Sequence, residues 1–342
     1  MTLQQVAYSM VHAATSGEGD RLPIGVGGGA DEWWSLFRLL QENRVAAVCA
    51  EVAQAAGAPR EVLMPWLAEC EKAIGWQRHQ REVQEEIADA MAKRGIATLV
   101  LKGLHTASHY PRPEVREFGD LDLYFYDKHD EADRVAREVL GVEIDNRGHH
   151  HSKYDYRGVT VESHFDFVNV YYPPSNRGYE AMLKALAPSA TFEVLFLLRH
   201  MAGHFAAGRI TLRDLADWTL TARALNREVD WELVRRGARE YGMEPFAAAL
   251  EEVSVRQLQG VRMLGMSADK ELADRVERDI VGGSEESLDC GSKGIKRVGW
   301  KWRRWNANRW KRKIVYGEGE ARLLWSSFAS HAMKPRSIVH KM

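Results

Sequence analysis

The sequence predicts an α+β fold, with a small mixed β-sheet set between helical N- and C-terminal regions. Three observations predict it. Apolar residues recur at helical spacing from Asp31 to about Arg94, and again from Ser189 onward. At Ile96 the period changes, because Ile96-Ala97-Thr98-Leu99-Val100-Leu101 is the short, nearly continuous apolar run of a buried strand. Two later stretches, Asp120–Phe125 and Val159–Phe167, alternate polar and apolar side chains with the two-residue period of a half-buried strand.

The elements follow in order. Residues 1–30 form an N-terminal segment and a Gly-rich linker. Gly25-Val26-Gly27-Gly28-Gly29-Ala30 loosely imitates a dinucleotide fingerprint, but no strand precedes it and Pro23 argues against one, so a linker with Asp31 as the next N-cap is expected. Residues 31–95 read as a helical subdomain. Trp34, Phe37, Leu40, Val45 and Val48 recur at helical spacing, Gly57-Ala58-Pro59 breaks the pattern, and helices are expected over Arg60–Ile74 and Gln77–Lys93, with Gly95 as a stop. Residues 96–175 hold the sheet. After the strand at 96–101 comes Lys102-Gly103, then a helix over Leu104–Tyr110 that Pro111 and Pro113 end. Asp130–Leu140 is helical up to Gly141, Val142–Ile144 is a short β segment, and a strand opens at His149-His150-His151 and ends near Tyr156. Arg157-Gly158 turns the chain into Val159–Phe167. Residues 176–282 return to helix, with Asp230 as an N-cap, and 283–342 form a linker and a basic, Trp-rich tail.

Composition narrows the class. The 342 residues suffice for two or three domains, and 45% hydrophobic with 28% charged residues is ordinary globular content. The longest apolar stretches, near Val194–Leu198 and Leu99–Leu101, are far too short to span a bilayer. Cys49, Cys70 and Cys290 form no CxxC pair, and no charged segment followed by an apolar one opens the chain, so a cytoplasmic protein is expected. The net charge of −1 hides an asymmetry: Lys293–Lys313 carries ten Lys/Arg and no Asp/Glu, leaving 37 Lys/Arg against 48 Asp/Glu elsewhere. With Trp300, Trp302, Trp305 and Trp310 interleaved, that segment suits an anionic membrane surface, single-stranded nucleic acid, or a helix packed back on the acidic body.

The sharpest chemical signal is Asp120-Leu121-Asp122-Leu123. On a strand, Asp120 and Asp122 share one face while Leu121 and Leu123 enter the core. Two close carboxylates repel, so the pair is most useful with a divalent cation between them. Val159–Phe167 places Thr160, Glu162, His164 and Asp166 on one face, with Glu162 as the candidate third acidic ligand and Asp166 as its competitor. Other groupings read as structural. Successive strand residues alternate faces, so His149, His150 and His151 are expected to form polar surface rather than one metal site. His200 and His204, spaced i, i+4 without the Glu of HExxH, read as helix packing. Arg213, Asp214 and Asp217 suit a helix N-terminus.

Taken together, these pieces are similar to a known family. Val100-Leu101-Lys102-Gly103, Tyr110-Pro111-Arg112-Pro113 with Arg116, Asp120-Leu121-Asp122-Leu123, Val161-Glu162-Ser163-His164-Phe165 and Leu212-Arg213-Asp214-Leu215-Ala216-Asp217-Trp218 stand in this order. The stretch over 31–250 resembles the bacterial uncharacterised nucleotidyltransferase family of the DNA-polymerase-β-like superfamily. The chain has Gly103-Leu104 where that superfamily usually has Gly-Gly or Gly-Ser, and a longer gap to the Asp pair.

The resemblance implies a polymerase-β-like core and a Mg²⁺-dependent (or Mn²⁺-dependent) nucleotidyltransferase. It would move an NMP from an NTP such as ATP to a hydroxyl of a metabolite, an RNA end or a protein side chain, releasing pyrophosphate. Asp120, Asp122 and Glu162 would be the metal ligands. Lys102, Gly103 and Arg116 would meet the triphosphate, and His164 would orient substrate or assist deprotonation. The rival readings are a nucleotide- or nucleic-acid-binding protein that keeps the fold without catalysis, and a membrane-surface or scaffold protein acting through Lys293–Lys313.

Overall fold

A computed structural model describes residues 1–16, 29–282, 303, 305–319 and 321–326. Gly25–Gly28, Cys290, Trp300 and Trp302 lie outside the described residues. The helices are α1 (Leu3–Ser16), α2 (Ala30–Glu42), α3 (Ala50–Ala55), α4 (Arg60–Ala92), α5 (Leu104–Ala107), α6 (His129–Val135), α7 (Asn176–Leu186), α8 (Ala190–Ala207), α9 (Leu212–Ala224), α10 (Trp231–Glu240), α11 (Glu244–Leu258), α12 (Lys270–Gly282) and α13 (Arg309–Tyr316). The strands are β1 (Leu99–Val100), β2 (Asp120–Tyr124), β3 (His151–Tyr156) and β4 (Val159–His164). Two compact units divide the chain: Met1–Ala68 with Val194–Gly319, and Glu69–Glu193 with Glu320–Met342. The consecutive sequence segments therefore do not coincide with the compact units. No described helix is long and apolar enough to cross a membrane.

The first unit is helical, and α11 is central to it, packing against α1, α9, α10, α12 and α13. Its other anchor is Trp66, fully buried beside Phe37 (ring centroids 5.0 Å apart) and Trp33 (6.4 Å), with its indole N–H donating to the Ala46 carbonyl at 2.7 Å. The described part of the basic segment also packs here. Lys311 is buried, its ammonium 2.6 Å from Asp279 Oδ1, bonded to the Gly208 carbonyl and 4.9 Å from the Phe205 ring centroid. Arg275 stacks on Trp310 and Arg312 on Trp305, each at 3.8 Å. Such contacts satisfy a buried cation by pairing it and placing π faces over it.

The second unit is built on a four-stranded mixed sheet of order β1-β2-β4-β3. β1 runs antiparallel to β2, β2 parallel to β4, and β4 antiparallel to β3. A parallel pair needs a crossover. Here the chain from β2 to β4 supplies it through α6 and β3, and α6 with the residue after it lays Ala132, Val135 and Ala136 over the apolar face. Leu121, Leu123, Val159, Val161 and Tyr154 complete that core with Val83, Ile87 and Met91 of α4. The opposite face carries the polar side chains.

Several expected elements differ. The strand expected over 96–101 contracts to Leu99–Val100. Ile96 instead closes the end of α4, its N–H bonding the Met91 carbonyl at 3.0 Å after Gly95 at φ 69°, while Leu101 N–H still reaches the Asp122 carbonyl at 3.0 Å. The two helices expected over 60–74 and 77–93 are one, α4, because a single Gly75 costs a helix only about 1 kcal/mol and breaks nothing by itself. α5 stops at Ala107 rather than Tyr110. Val142–Ile144 forms no strand; a single bridge pairs Asp145 with Lys153. α2 is capped by Gly29, with Asp31 in its first turn. The expected strand to Phe167 ends at His164, where Phe165 and Asp166 both turn their N–H groups onto the His150 carbonyl, at 3.1 and 3.2 Å.

α9 begins with a full capping box. Thr211 N–H and Oγ1 both bond Asp214 Oδ2, at 2.7 and 2.8 Å. Burial works against ionisation of Asp214, but Arg213 and the Thr211 hydrogen bonds override it and hold the carboxyl at about 2. A depressed acid stabilises the fold above its unfolded pKa and loses that contribution as pH falls through the folded one, here about 2 kcal/mol lost between about pH 4 and about pH 2. Asp214→Ala is accordingly expected to lower unfolding free energy by about 2 kcal/mol near neutral pH. Urea unfolding in an acid series checks it: the gap to the wild type closes towards pH 2.

Candidate active site

The polar face is ordered by register. In the parallel pairing Asp120 stands opposite Thr160, Asp122 opposite Glu162 and Tyr124 opposite His164; across β4, Glu162 faces Lys153 and His164 faces His151. One row across the sheet thus reads Asp122-Glu162-Lys153, and the next Tyr124-His164-His151. Leu121 and Leu123 point the other way into the core, as alternation requires.

The donor atoms converge. One ligand atom each from Asp122, Glu162 and His164 lies within 4.8 Å of the others. His164 Nε2 is 3.0 Å from Asp122 Oδ1 and 3.9 Å from Glu162 Oε2, and its Nδ1 faces the Asp166 carbonyl at 3.1 Å. Lys102 Nζ sits 3.0 Å from Asp122 Oδ2 and 3.9 Å from Asp120 Oδ1, and Lys153 Nζ is 2.8 Å from Glu162 Oε1. Asp120 keeps 40% of its side chain exposed, against 1% for Asp122, so the Asp pair shares a face but not an environment.

The electrostatics follow from burial set against pairing. Desolvation disfavours the Asp122 carboxylate, yet Lys102 and His164 together pull its pKa well below the usual range. Burial would lower the Lys102 ammonium, but Asp122, with Asp120 and Glu162 behind it, raises it instead. Lys153 is likewise raised, its burial overridden by Glu162. His151 goes the other way. Desolvation outweighs Glu162, 3.6 Å away, and brings the imidazole down to about 4, so it is neutral near pH 7 with a lone pair to offer.

The turn between β1 and α5 depends on Gly103. Its φ is 69°, and a Cβ there would meet Phe118 Cδ2 at 3.2 Å and the Asp120 carbonyl at 3.7 Å. Arg116, itself buried, donates to the Gly103 carbonyl at 3.2 Å and lies 5.9 Å from the Phe118 ring centroid and 6.0 Å from that of Tyr110. Arg116 thus shapes the turn. The long gap from Gly103 to Asp120 accommodates α5, a 3₁₀ turn over Pro113–Val115 and this support.

Of the two acidic candidates, Glu162 and Asp166, the second lies beyond the strand, with its carboxylate 2.7 Å from Lys184 Nζ. The histidine run corrects the expectation of plain surface. β3 begins only at His151, so His150 precedes the strand and alternation does not bind it. Its ring lies 4.6 Å from that of His151 and 5.4 Å from His164, and the three can offer nitrogens within 4.8 Å of one another. The signal for this was the register: β3 pairs antiparallel with β4, which carries His151 opposite His164. His200 and His204 stack at 4.4 Å and belong to no three-ligand group among the described residues.

A small mixed sheet with a carboxylate-bearing polar face is consistent with a nucleotidyltransferase-type fold. A family model described as "Uncharacterised nucleotidyltransferase" matches residues 29–253, about two thirds of the chain, and the chain belongs to that family. Membership indicates a transferase of nucleotidyl groups. Comparison with curated proteins gave no match, and comparison with solved structures gave none.

Gly103→Ala is expected to cost about 1–2 kcal/mol from the left-handed backbone alone, and to displace Phe118. Thermal unfolding checks the loss; a Gly103→Ala protein as stable as wild type would contradict it.

Proposed function

We propose that the protein transfers an NMP from an NTP to an acceptor hydroxyl, with Asp120, Asp122, Glu162 and His164 as the working face. The observation that carries this reading is the convergence of Asp122, Glu162 and His164 donor atoms at one point. The donor set also fits a divalent cation. Asp122 Oδ2 is buried and has the Lys102 ammonium 3.0 Å away, the position a cation would take over. His164 Nδ1 faces the Asp166 carbonyl and Nε2 faces Asp122 Oδ1, so the ring is oriented from behind with Nε2 on the carboxylate side.

Asp122, Glu162 and His164 would hold the cation, with Asp120 completing the set. When bound, it would neutralise triphosphate charge and favour in-line attack. The remaining roles belong to the chain. Three carboxylates against Lys102 and Lys153 leave this face one negative charge, too acidic for a triphosphate unless a dication joins it. Lys102 then has a second use, since its ammonium can move from Asp122 to a phosphate oxygen. The Gly103 turn lets backbone approach the phosphates without a side chain in the way, and Arg116 holds that turn. The acceptor oxygen bonds to the α-phosphorus, the bond from that phosphorus to the bridging oxygen breaks, and pyrophosphate carries the electron pair away. In this reading Asp120, the exposed carboxylate, would take the proton from the acceptor hydroxyl.

Imidazole ligands suit Mn²⁺ better than Mg²⁺, which demands oxygen. Activity is therefore expected to be higher with Mn²⁺. One observation favours a second reading, a nucleotide-binding protein without catalysis: Lys102 already neutralises Asp122 internally. A single assay separates the two. Purified protein is incubated with each α-labelled NTP, Mn²⁺ or Mg²⁺, and cell extract, and label transfer and pyrophosphate are followed. The enzyme reading expects both, with losses of about 10³-fold in Asp122→Asn and Glu162→Gln. Nucleotide binding without pyrophosphate from a folded, metal-loaded sample sinks it.

A further inference from the structure

A second group of metal-binding side chains stands apart from the carboxylate face. His105 and His109 are one helical turn apart, on α5 and the turn that follows it, a spacing that brings two imidazoles to one side. Between them stands Glu193, on the first turn of α8. His105 Nε2 lies 2.8 Å from Glu193 Oε2 and His109 Nε2 lies 2.7 Å from Glu193 Oε1, so each imidazole has its own carboxylate oxygen. The rings are 5.9 Å apart and nearly perpendicular, at 76°. One donor atom from each of the three lies within 4.8 Å of the others, and none of the three belongs to the Asp122 group.

We propose that His105, His109 and Glu193 form a separate site for a Zn²⁺-class cation. Two imidazole nitrogens and one carboxylate oxygen are the three-ligand set that Zn²⁺ accepts, with a fourth position left open. The open side is supplied by exposure: 46% of the His105 side chain faces solvent, against 11% for His109 and 12% for Glu193. Two ligands are thus held in the protein and one is free to adjust. A bound cation would take the place of the direct contacts between Glu193 and the two Nε2 atoms. The hard-oxygen preference of Mg²⁺ makes it a poor competitor here. Lys102 and Gly103 directly precede α5, so a cation tying His105 and His109 to Glu193 also fastens the segment that follows the Lys102-Gly103 turn.

Co²⁺, which reports tetrahedral nitrogen and oxygen ligation in its visible spectrum, is the probe for the test. Chelator-stripped full-length protein is titrated as wild type, His105→Gln/His109→Gln and Asp122→Asn, with circular dichroism confirming that each is folded. Wild type and Asp122→Asn should show the same tetrahedral band, displaced by Zn²⁺. The double variant should lack it. His105→Gln alone, changing the exposed ligand, should keep the fold and weaken binding by at least about tenfold. A band that survives in the double variant, disappears in Asp122→Asn, or never forms in folded wild type overturns the assignment.

Discussion

The parallel pairing of β2 with β4 is the constraint on which the candidate site rests. It sets Asp122 directly opposite Glu162, and antiparallel β3 then sets Lys153 and His151 opposite Glu162 and His164. A slip of one residue in either strand would turn the carboxylates into the core and the leucines outward. The apolar side prevents this, because Leu121, Leu123, Val159 and Val161 are each at most 1% exposed beneath α4 and α6. The packing that stabilises the sheet is thus the same packing that aligns the chemistry. Neither can be changed alone.

Much of this was legible in the chain because strand alternation is a local property. The positions of Asp120 and Asp122 on one face, Leu121 and Leu123 on the other, and the strand-rich stretch between helical regions all follow from period and composition. Features that depend on partners were not legible. Nothing local distinguishes Asp120 from Asp122, yet Lys102 and His164 meet the second and leave the first accessible. The histidine run illustrates the same limit. Its alternation argument was sound for a strand, but where β3 starts is decided by its pairing with β4, and His150 falls one residue outside. The end of β4 is also a tertiary matter, since the His150 carbonyl captures the N–H groups of Phe165 and Asp166 and so sends Asp166 towards Lys184.

The helical unit shows a related compromise between charge and packing. Lys311 and Arg312 come from the most basic stretch of the chain, yet both are buried, one against Asp279 and one bonded to the Trp305 carbonyl beside its ring. Charge density in a sequence counts residues without saying which of them keep their charge in water. Here part of the apparent basic surface is internal, and its tryptophans serve as lids for cations.

Lys102 gives the carboxylate face a tethered counterion. An ammonium fixed by its own backbone competes with any dissolved cation at a high effective concentration, whatever the ionic strength outside. Under the proposed function, a cation entering this face would have to displace that ammonium, and the displaced lysine, on its flexible stem, would be a positive group at hand for an incoming anion.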